Sequence, residues 1–294
     1  MQRPERTTSS SSDRNSTSPA SSPEPENVAS TAKLCTTTSS GSNSSLSIAS
    51  KKSDAVVDLD ARPYEDASYW EGRYGRRSKE DETDEWGFEY ADLEPLLTPL
   101  KPQRQDGLIV DLGCGVSQLL IDMASQGWDR FDLLGVDLSA NAVKTMQSRV
   151  RSLNLRANIK FETLDLCKLA ERFRPNSVDL YMDKMTMDAI LHASKGETMV
   201  RKIFRQIAST LRVGGSFVLV SQMNPETNTD FLELVAEALQ EGCQHKANWL
   251  INVHVAEDSG VGLNVYMFKK NPRHQMSRRS GNQTSRVTLK IHEY

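Results

Sequence analysis

Aromatic side chains are absent from the first 63 of the 294 residues; Tyr64 is the first. Over the same stretch hydroxyl residues crowd in, with 16 Ser and 7 Thr among residues 1–50. A segment so poor in large apolar groups cannot bury enough surface to offset chain entropy, so residues 1–60 are expected to form a disordered tail. Apolar runs of the roughly 18 residues that a membrane helix needs are missing, which excludes a helical span. A secretory h-region is missing as well. Cysteine is scarce: Cys35, Cys114, Cys167 and Cys243 form no C-x-x-C pair. Neither a disulfide framework nor a metal site is expected, and reduced thiols of an intracellular protein fit this usage better.

Hydrophobic residues make up 37% of the chain, low for a globular protein because the tail dilutes them. Charge is unevenly placed. Residues 1–60 net −1 and residues 271–294 net +4, which leaves −6 of the chain's −3 on residues 61–270. A nucleic-acid binder would show a basic domain, so nucleic acid is disfavoured as a partner. The organisation expected is a tail, a domain over 61–270, and a basic C-terminal tail over 271–294.

Within the domain, short apolar runs alternate with helical stripes. Residues 107–112, 131–137, 158–164, 177–183 and 216–221 read as buried parallel strands. Between them, Ser139 caps a helix with Val143, Met146, Val150 and Leu153 on one face. Val200, Ile203, Phe204, Ile207 and Leu211 form another stripe, expected to stop at Gly214-Gly215. Phe231, Leu232, Val235 and Leu239 form a third. A further helix is expected after Trp86, to about Leu100. Residues 249–256 and 262–269 are separated only by a short loop, so they form a hairpin whose last strand runs antiparallel. This is an α/β pattern: βαβ units, a mostly parallel sheet, helices on both faces.

The first strand ends in Asp111-Leu112-Gly113-Cys114-Gly115, and Asp137 closes the next strand, 24 residues after Gly113. A glycine turn between strand and helix brings backbone close to a ligand at the carboxyl edge of the sheet, and an acid after the second strand takes ribose hydroxyls. Gln118 stands where a dinucleotide fingerprint has its third glycine. A ligand without a diphosphate does not need that glycine, and S-adenosylmethionine is one; the acid Asp111 suits its cation.

At these residues the chain resembles the class I S-adenosylmethionine-dependent methyltransferases. Leu211-Arg212-Val213-Gly214-Gly215 is similar to the turn before their fifth strand. The resemblance implies a Rossmann-like, doubly wound, seven-stranded sheet with an antiparallel last strand. Tyr69-Trp70-Glu71-Gly72-Arg73-Tyr74, Glu85-Trp86-Gly87-Phe88-Glu89-Tyr90 and Asp183-Lys184-Met185-Thr186-Met187-Asp188-Ala189 resemble motifs of the methyltransferase-like protein lysine methyltransferases, which act on elongation factor 1-alpha or citrate synthase. Met185 departs from their pattern, which has glycine there.

The resemblance implies cofactor contacts at Trp70, Arg73, Tyr74, Trp86, Asp111, Gly113, Gly115, Asp137, Leu138, Asp165, Leu166 and Lys184. Asp165 either accepts the adenine amino group or caps the following helix, and Leu166 packs on the ring. Trp70, Tyr74 and Trp86 either close a lid near the sulfonium or pack in the core. For a lysine acceptor, Asp183 is the expected catalytic carboxylate, orienting the ammonium and easing proton loss, with Lys184 beside it. His192 follows this segment and is expected to be structural. The acidic stretch Glu80–Glu85 either attracts a basic protein substrate or is a solvated charge run.

No N/D-P-P-Y/F/W follows the fourth strand and no Pro-Cys pair exists, which argues against amino groups of bases and against cytosine C5. The function expected is transfer of a methyl group from S-adenosyl-L-methionine to a protein lysine, possible substrates including an elongation factor 1-alpha-like protein. A small-molecule or RNA methyltransferase, or a non-catalytic binding module, are the alternatives. A monomer in the cytoplasm is expected; Arg3, Arg6, Arg14 and Lys33 keep the mitochondrion as the alternative, but Glu5, Asp13, Glu24 and Glu26 offset them, unlike an acid-poor transit peptide.

Overall fold

The computed structural model describes residues 64, 66–76, 84–153, 155, 157–244, 246–255, 262–273 and 287–293. The expected 1–60 tail lies outside the described residues. So do residues 80–83 of the acidic stretch.

Eight strands among the described residues form one sheet: β1 (Leu108–Leu112), β2 (Asp132–Asp137), β3 (Asn158–Thr163), β4 (Val178–Lys184), β5 (Leu211–Ser221), β6 (Ala247–Val255), β7 (Asn264–Pro272) and β8 (Val287–Glu293). Their order is β3-β2-β1-β4-β5-β7-β6-β8. The first five pair in parallel; β7 runs antiparallel to both β5 and β6, as the hairpin pattern predicts.

The eighth strand corrects the seven-stranded expectation. It comes from within the basic segment 271–294 and pairs in parallel with β6, Trp249 opposite Val287 through Val255 opposite Glu293. Its charges mask an alternation of Val287, Leu289 and Ile291 with polar residues. Val287 and Leu289 pack on the core, while Ile291 is 44% exposed.

The helices are α1 (Ala67–Gly75), α2 (Tyr90–Leu97), α3 (Leu119–Met123), α4 (Ala140–Leu153), α5 (Leu169–Arg172), α6 (Thr186–Leu191), α7 (Gly196–Thr210) and α8 (Thr229–Gly242). Strand periodicity divides the core between two faces. Val110, Leu134, Tyr181, Phe217 and Phe268 face α7 and α8 with Phe204 and Val235. Ile109, Leu133, Leu180 and Val218 face α2, α3 and α4 with Leu93, Trp128 and Met146. Fully burying each large apolar side chain stabilises the fold by about 1.5–3 kcal/mol. The Ser139 cap forms: its Oγ accepts from the Ala142 amide at 3.2 Å. Leu153, expected on the apolar face of α4, is instead 44% exposed.

Gly214-Gly215 does not stop α7. The helix ends at Thr210 and Leu211 opens β5 directly. The β4–β5 register slips between the Val178–Leu211 and Leu180–Ser216 pairs, so the glycines sit in a bulge, with Gly214 at φ +87°. Lys270 of β7 closes the same corner. Its buried Nζ donates to the Ala208 and Leu211 carbonyls, both at 2.7 Å.

Candidate active site

The carboxyl ends of β1, β2 and β4, with the turn after β3, open into one cavity whose space, counted out into the solvent, is about 880 Å³. Its floor is the glycine loop, where Gly113 (φ +65°) and Gly115 (φ +49°) take conformations that L side chains rarely adopt. A Cβ on Gly113 would overlap the Thr186 side chain, and one on Gly115 would lie 2.5 Å from Tyr74 Oη. Thr186 in turn donates its hydroxyl to the Leu112 carbonyl at 3.0 Å, joining the loop to the start of α6.

Asp137 ends β2 with both oxygens engaged. Oδ2 accepts from the Gly115 amide and Oδ1 from the Ser139 amide, each at 2.8 Å. Burial raises its pKa, against the two amides that favour the charge. Asp165 accepts from the Cys167 amide at 2.8 Å and caps the short turn Leu166–Lys168. The capping alternative is therefore realised, with Asp165 and Leu166 still on the cavity wall.

An aromatic wall faces the loop. Trp70 stacks between Tyr64 (5.5 Å) and Tyr74 (6.3 Å), and Trp86 lies 6.1 Å from it. The Trp70 indole N–H donates to the Tyr64 carbonyl at 2.9 Å. The helix carrying Trp70 and Tyr74 is held to the start of α4 by Glu71. Its Oε2 accepts from Ser139 Oγ at 2.5 Å and from the Asn141 amide at 3.1 Å, and its carbonyl accepts from Asn141 Nδ2 at 3.1 Å.

Ten of the expected residues line this cavity: Trp70, Tyr74, Trp86, Gly113, Gly115, Asp137, Leu138, Asp165, Leu166 and Lys184. Arg73, Asp111 and Asp183 stand behind its wall instead. Arg73 pairs with Asp84 at 2.9 Å, and its guanidinium lies 5.2 Å from the centre of the Trp86 ring. Asp111 is buried beneath the loop, and burial pushes its pKa up to about 7. Asp183 is only 1% exposed. Its Oδ1 accepts from the Thr186 amide at 3.0 Å and the Met187 amide at 3.4 Å, while Oδ2 has no partner among the described residues. Burial first, and the charge of Asp188 second, raise its pKa well above the usual carboxylate range. Asp183 thus holds the β4–α6 turn through its Oδ1 and is not among the residues lining the cavity.

Glu85 is the member that sequence reasoning misplaced. Asp84 and Glu85, grouped in the sequence with an acidic stretch either facing a substrate or solvated, turn inward. Glu85 accepts from Lys184 Nζ, from Ser117 Oγ at 2.9 Å and from the Gln118 amide. Burial would raise its pKa, but Lys184 and these donors outweigh it and the net shift is downward. Lys184 Nζ also donates to the Phe88 carbonyl at 3.1 Å. Tyr64, Asp84, Met185, Thr186, Ile190 and Ile203 are among the other residues on the wall. Of these, Ile203 had surfaced only as part of a helical stripe. His192 lies 6.1 Å from the Tyr64 ring.

The pattern of a methyltransferase domain matches residues 104–279. A mitochondrial citrate synthase-lysine N-methyltransferase from Danio rerio is 29% identical over 190 residues, covering 61% of this chain and 74% of that protein. An eEF1A lysine and N-terminal methyltransferase homolog from Drosophila melanogaster is 31% identical over 156 residues, covering 52% of this chain. This chain spans only 22% of the length of the fly protein. Among solved structures, a geranyl diphosphate C-methyltransferase from Streptomyces coelicolor A3(2) overlays with a TM-score of 0.48 at 14% identity, over 72% of this chain and 99% of that one. The matched stretch runs from before β1 to beyond β7 and so contains the glycine loop and every strand that frames the cavity; the chain belongs to the methyltransferase-domain family and is an S-adenosylmethionine-dependent methyltransferase.

Proposed function

We propose that the acceptor is a lysine side chain of a protein. The observation that carries this reading is the aromatic wall of Tyr64, Trp70, Tyr74 and Trp86 on the cavity. Ring faces attract an ammonium and suit its methylated forms. The lysine acceptors in the names of the zebrafish and fly relatives support the same reading.

The cavity fits the donor by its chemistry. Among the described lining residues Lys184 is the sole base, and it is tied to Glu85. No free cation is offered to a diphosphate, whereas carboxylates, glycine backbone and rings suit an adenosine and a sulfonium. Asp137, Leu138, Asp165 and Leu166 would hold the nucleoside, and the Gly113–Gly115 backbone with Trp70, Tyr74 and Trp86 the rest. S-adenosylmethionine, when bound, supplies an electrophilic methyl group.

The chain's own residues then align and exclude water. Alignment of two bound partners accounts for a large part of the acceleration in such a transfer. A free lysine has a pKa of about 10.4 and must lose its proton first. Asp84 and Asp165 place carboxylates on the wall. Asp183 acts through the turn, keeping Lys184 and Thr186 in place. The domain's net −6 favours a basic protein surface as partner, and an elongation factor 1-alpha-like protein is the proposed substrate.

The test is to incubate the purified chain with methyl-labelled S-adenosylmethionine and a lysate of its own cells. Label on methyllysine of one protein band is expected. Label that is lost on nuclease treatment, or confined to small molecules, would overturn the lysine reading.

A further inference from the structure

Met185 occupies the left-handed region, φ 67° and ψ 3°, between β4 and α6. Glycine adopts this conformation freely, whereas a residue with a Cβ does so under strain. The backbone there is pinned. The Met185 amide donates to the Val220 carbonyl at 2.9 Å, and its carbonyl accepts from the Ala189 amide at 3.1 Å. Neither bond needs a side chain, so the turn alone would be served better by glycine.

The side chain is nonetheless present and placed. It is 9% exposed and lines the cavity between Lys184 and Thr186. Opposite it stands Gly87, φ +75°, where an added Cβ would lie 3.7 Å from Met185 Cγ. The thioether thus fills the gap between the β4–α6 turn and the loop that carries Trp86. Strain held at a site, where a less strained residue would build the same backbone, points to a use for the side chain.

We propose that Met185 determines specificity: its side chain limits the width of the acceptor end of the cavity, and so limits how many methyl groups the target amine can carry. The inference rests on the lysine reading above. Gly113, Gly115, Asp137 and Asp165 suit the donor's nucleoside, and the aromatic wall is where the sulfonium methyl and the incoming amine meet. Met185, opposite Gly87 and so next to Trp86, is placed at that meeting point. In each transfer the nitrogen lone pair bonds the methyl carbon, the carbon–sulfur bond breaks with its pair going to sulfur, and the amine releases one proton to solvent. The nitrogen widens by one methyl at each cycle, while its lone pair must keep the same direction. Room beside it then decides when transfer stops. One methyl more or less in an apolar pocket changes discrimination by roughly 10- to 200-fold.

Three variants separate the side chain from the strain. Met185→Gly removes both, Met185→Ala removes the side chain and keeps the strain, and Met185→Leu keeps the bulk. The measurement is the methylation state of the target lysine by mass spectrometry, at saturating S-adenosylmethionine. Calorimetric donor affinity and melting temperature are measured alongside. Met185→Gly and Met185→Ala are expected to add at least one methyl beyond the parent's product, with the rate of that last step raised about tenfold or more. Met185→Leu is expected to keep the parent's product, and Met185→Gly to melt above Met185→Ala. Unchanged product states with shifted melting would make Met185 merely structural. Donor affinity falling in step with turnover would place the side chain on the donor's end and overturn the proposal. So would a parent that already trimethylates. A parent that yields no methyllysine at all overturns the lysine reading itself, and is recognised before any variant is compared.

Discussion

Asp183 lies opposite Leu112 in the β1–β4 register, with one oxygen bonded to the α6 amides and the other without a partner among the described residues. Burial raises its pKa, and asparagine keeps a side-chain oxygen to accept from the Thr186 and Met187 amides. Asp183→Asn is therefore expected to keep turnover within about threefold, well short of the 100- to 10,000-fold loss typical of a general base. A loss in that larger range, with donor binding and melting unchanged, would put the carboxylate in contact with the acceptor. Asp111 carries a pH signature. Its pKa is pushed up to about 7 by burial, above the roughly 3.9 of an unfolded chain. The folded state thus binds more protons between those values. The stability this group contributes is complete below about pH 4 and is lost as pH rises to about 7. Asp111→Asn should remove that slope and leave the variant more stable than the parent above pH 7, as read by urea unfolding at several pH values.

The helix α1 reaches the site through side chains that belong to other parts of the chain. Glu71 bonds Ser139 and Asn141 at the start of α4, and Arg73 bonds Asp84 ahead of Trp86. Since Trp70 and Tyr74 ride on this helix, its docking should govern donor binding more than global stability. Glu71→Ala is expected to weaken S-adenosylmethionine binding on the order of tenfold, as lost hydrogen bonds to a charged group do. Amide exchange over residues 67–76 should quicken, while the sheet stays protected. Equal loosening of β1 and β4 would show that Glu71 supports the whole fold. The motif containing Glu71 and Trp70 is plain in the sequence. Its tie to α4 is not, because the partners lie 68 and 70 residues away.

At the scale of the whole molecule, β8 finishes the sheet edge that β6 would otherwise present. Ending the chain at residue 285 would leave the β6 edge unpaired and uncover core beneath Val287 and Leu289. Such edges invite association with other chains. The truncated protein is expected to melt several degrees lower and to self-associate in sedimentation. An unchanged melting temperature and a monomer would make β8 an ornament. The opposite end is expected to behave otherwise. With 16 Ser and 7 Thr among residues 1–50 and no aromatic before Tyr64, removal of residues 1–60 should leave melting and donor affinity unchanged.

Short continuous apolar runs set the strands, and the glycine turn with Asp137 set the edge of the sheet where the site lies, because both signals are local to a few residues. The antiparallel β7 followed from a loop too short for a crossover helix. Local patterns say nothing of what a polar side chain meets across the fold. Glu85 found Lys184 only through a contact 99 residues away in the chain, and that contact turned a supposed surface acid into a strut of the cavity. Asp183 has the sequence position expected of a catalytic carboxylate, but tertiary burial places it outside the cavity lining and raises its pKa. Met185 reads as a missing glycine until the packing shows its side chain filling the gap opposite Gly87. Burial and long-range partners set the charge and reach of these groups, and both exist only once distant strands and loops are brought together.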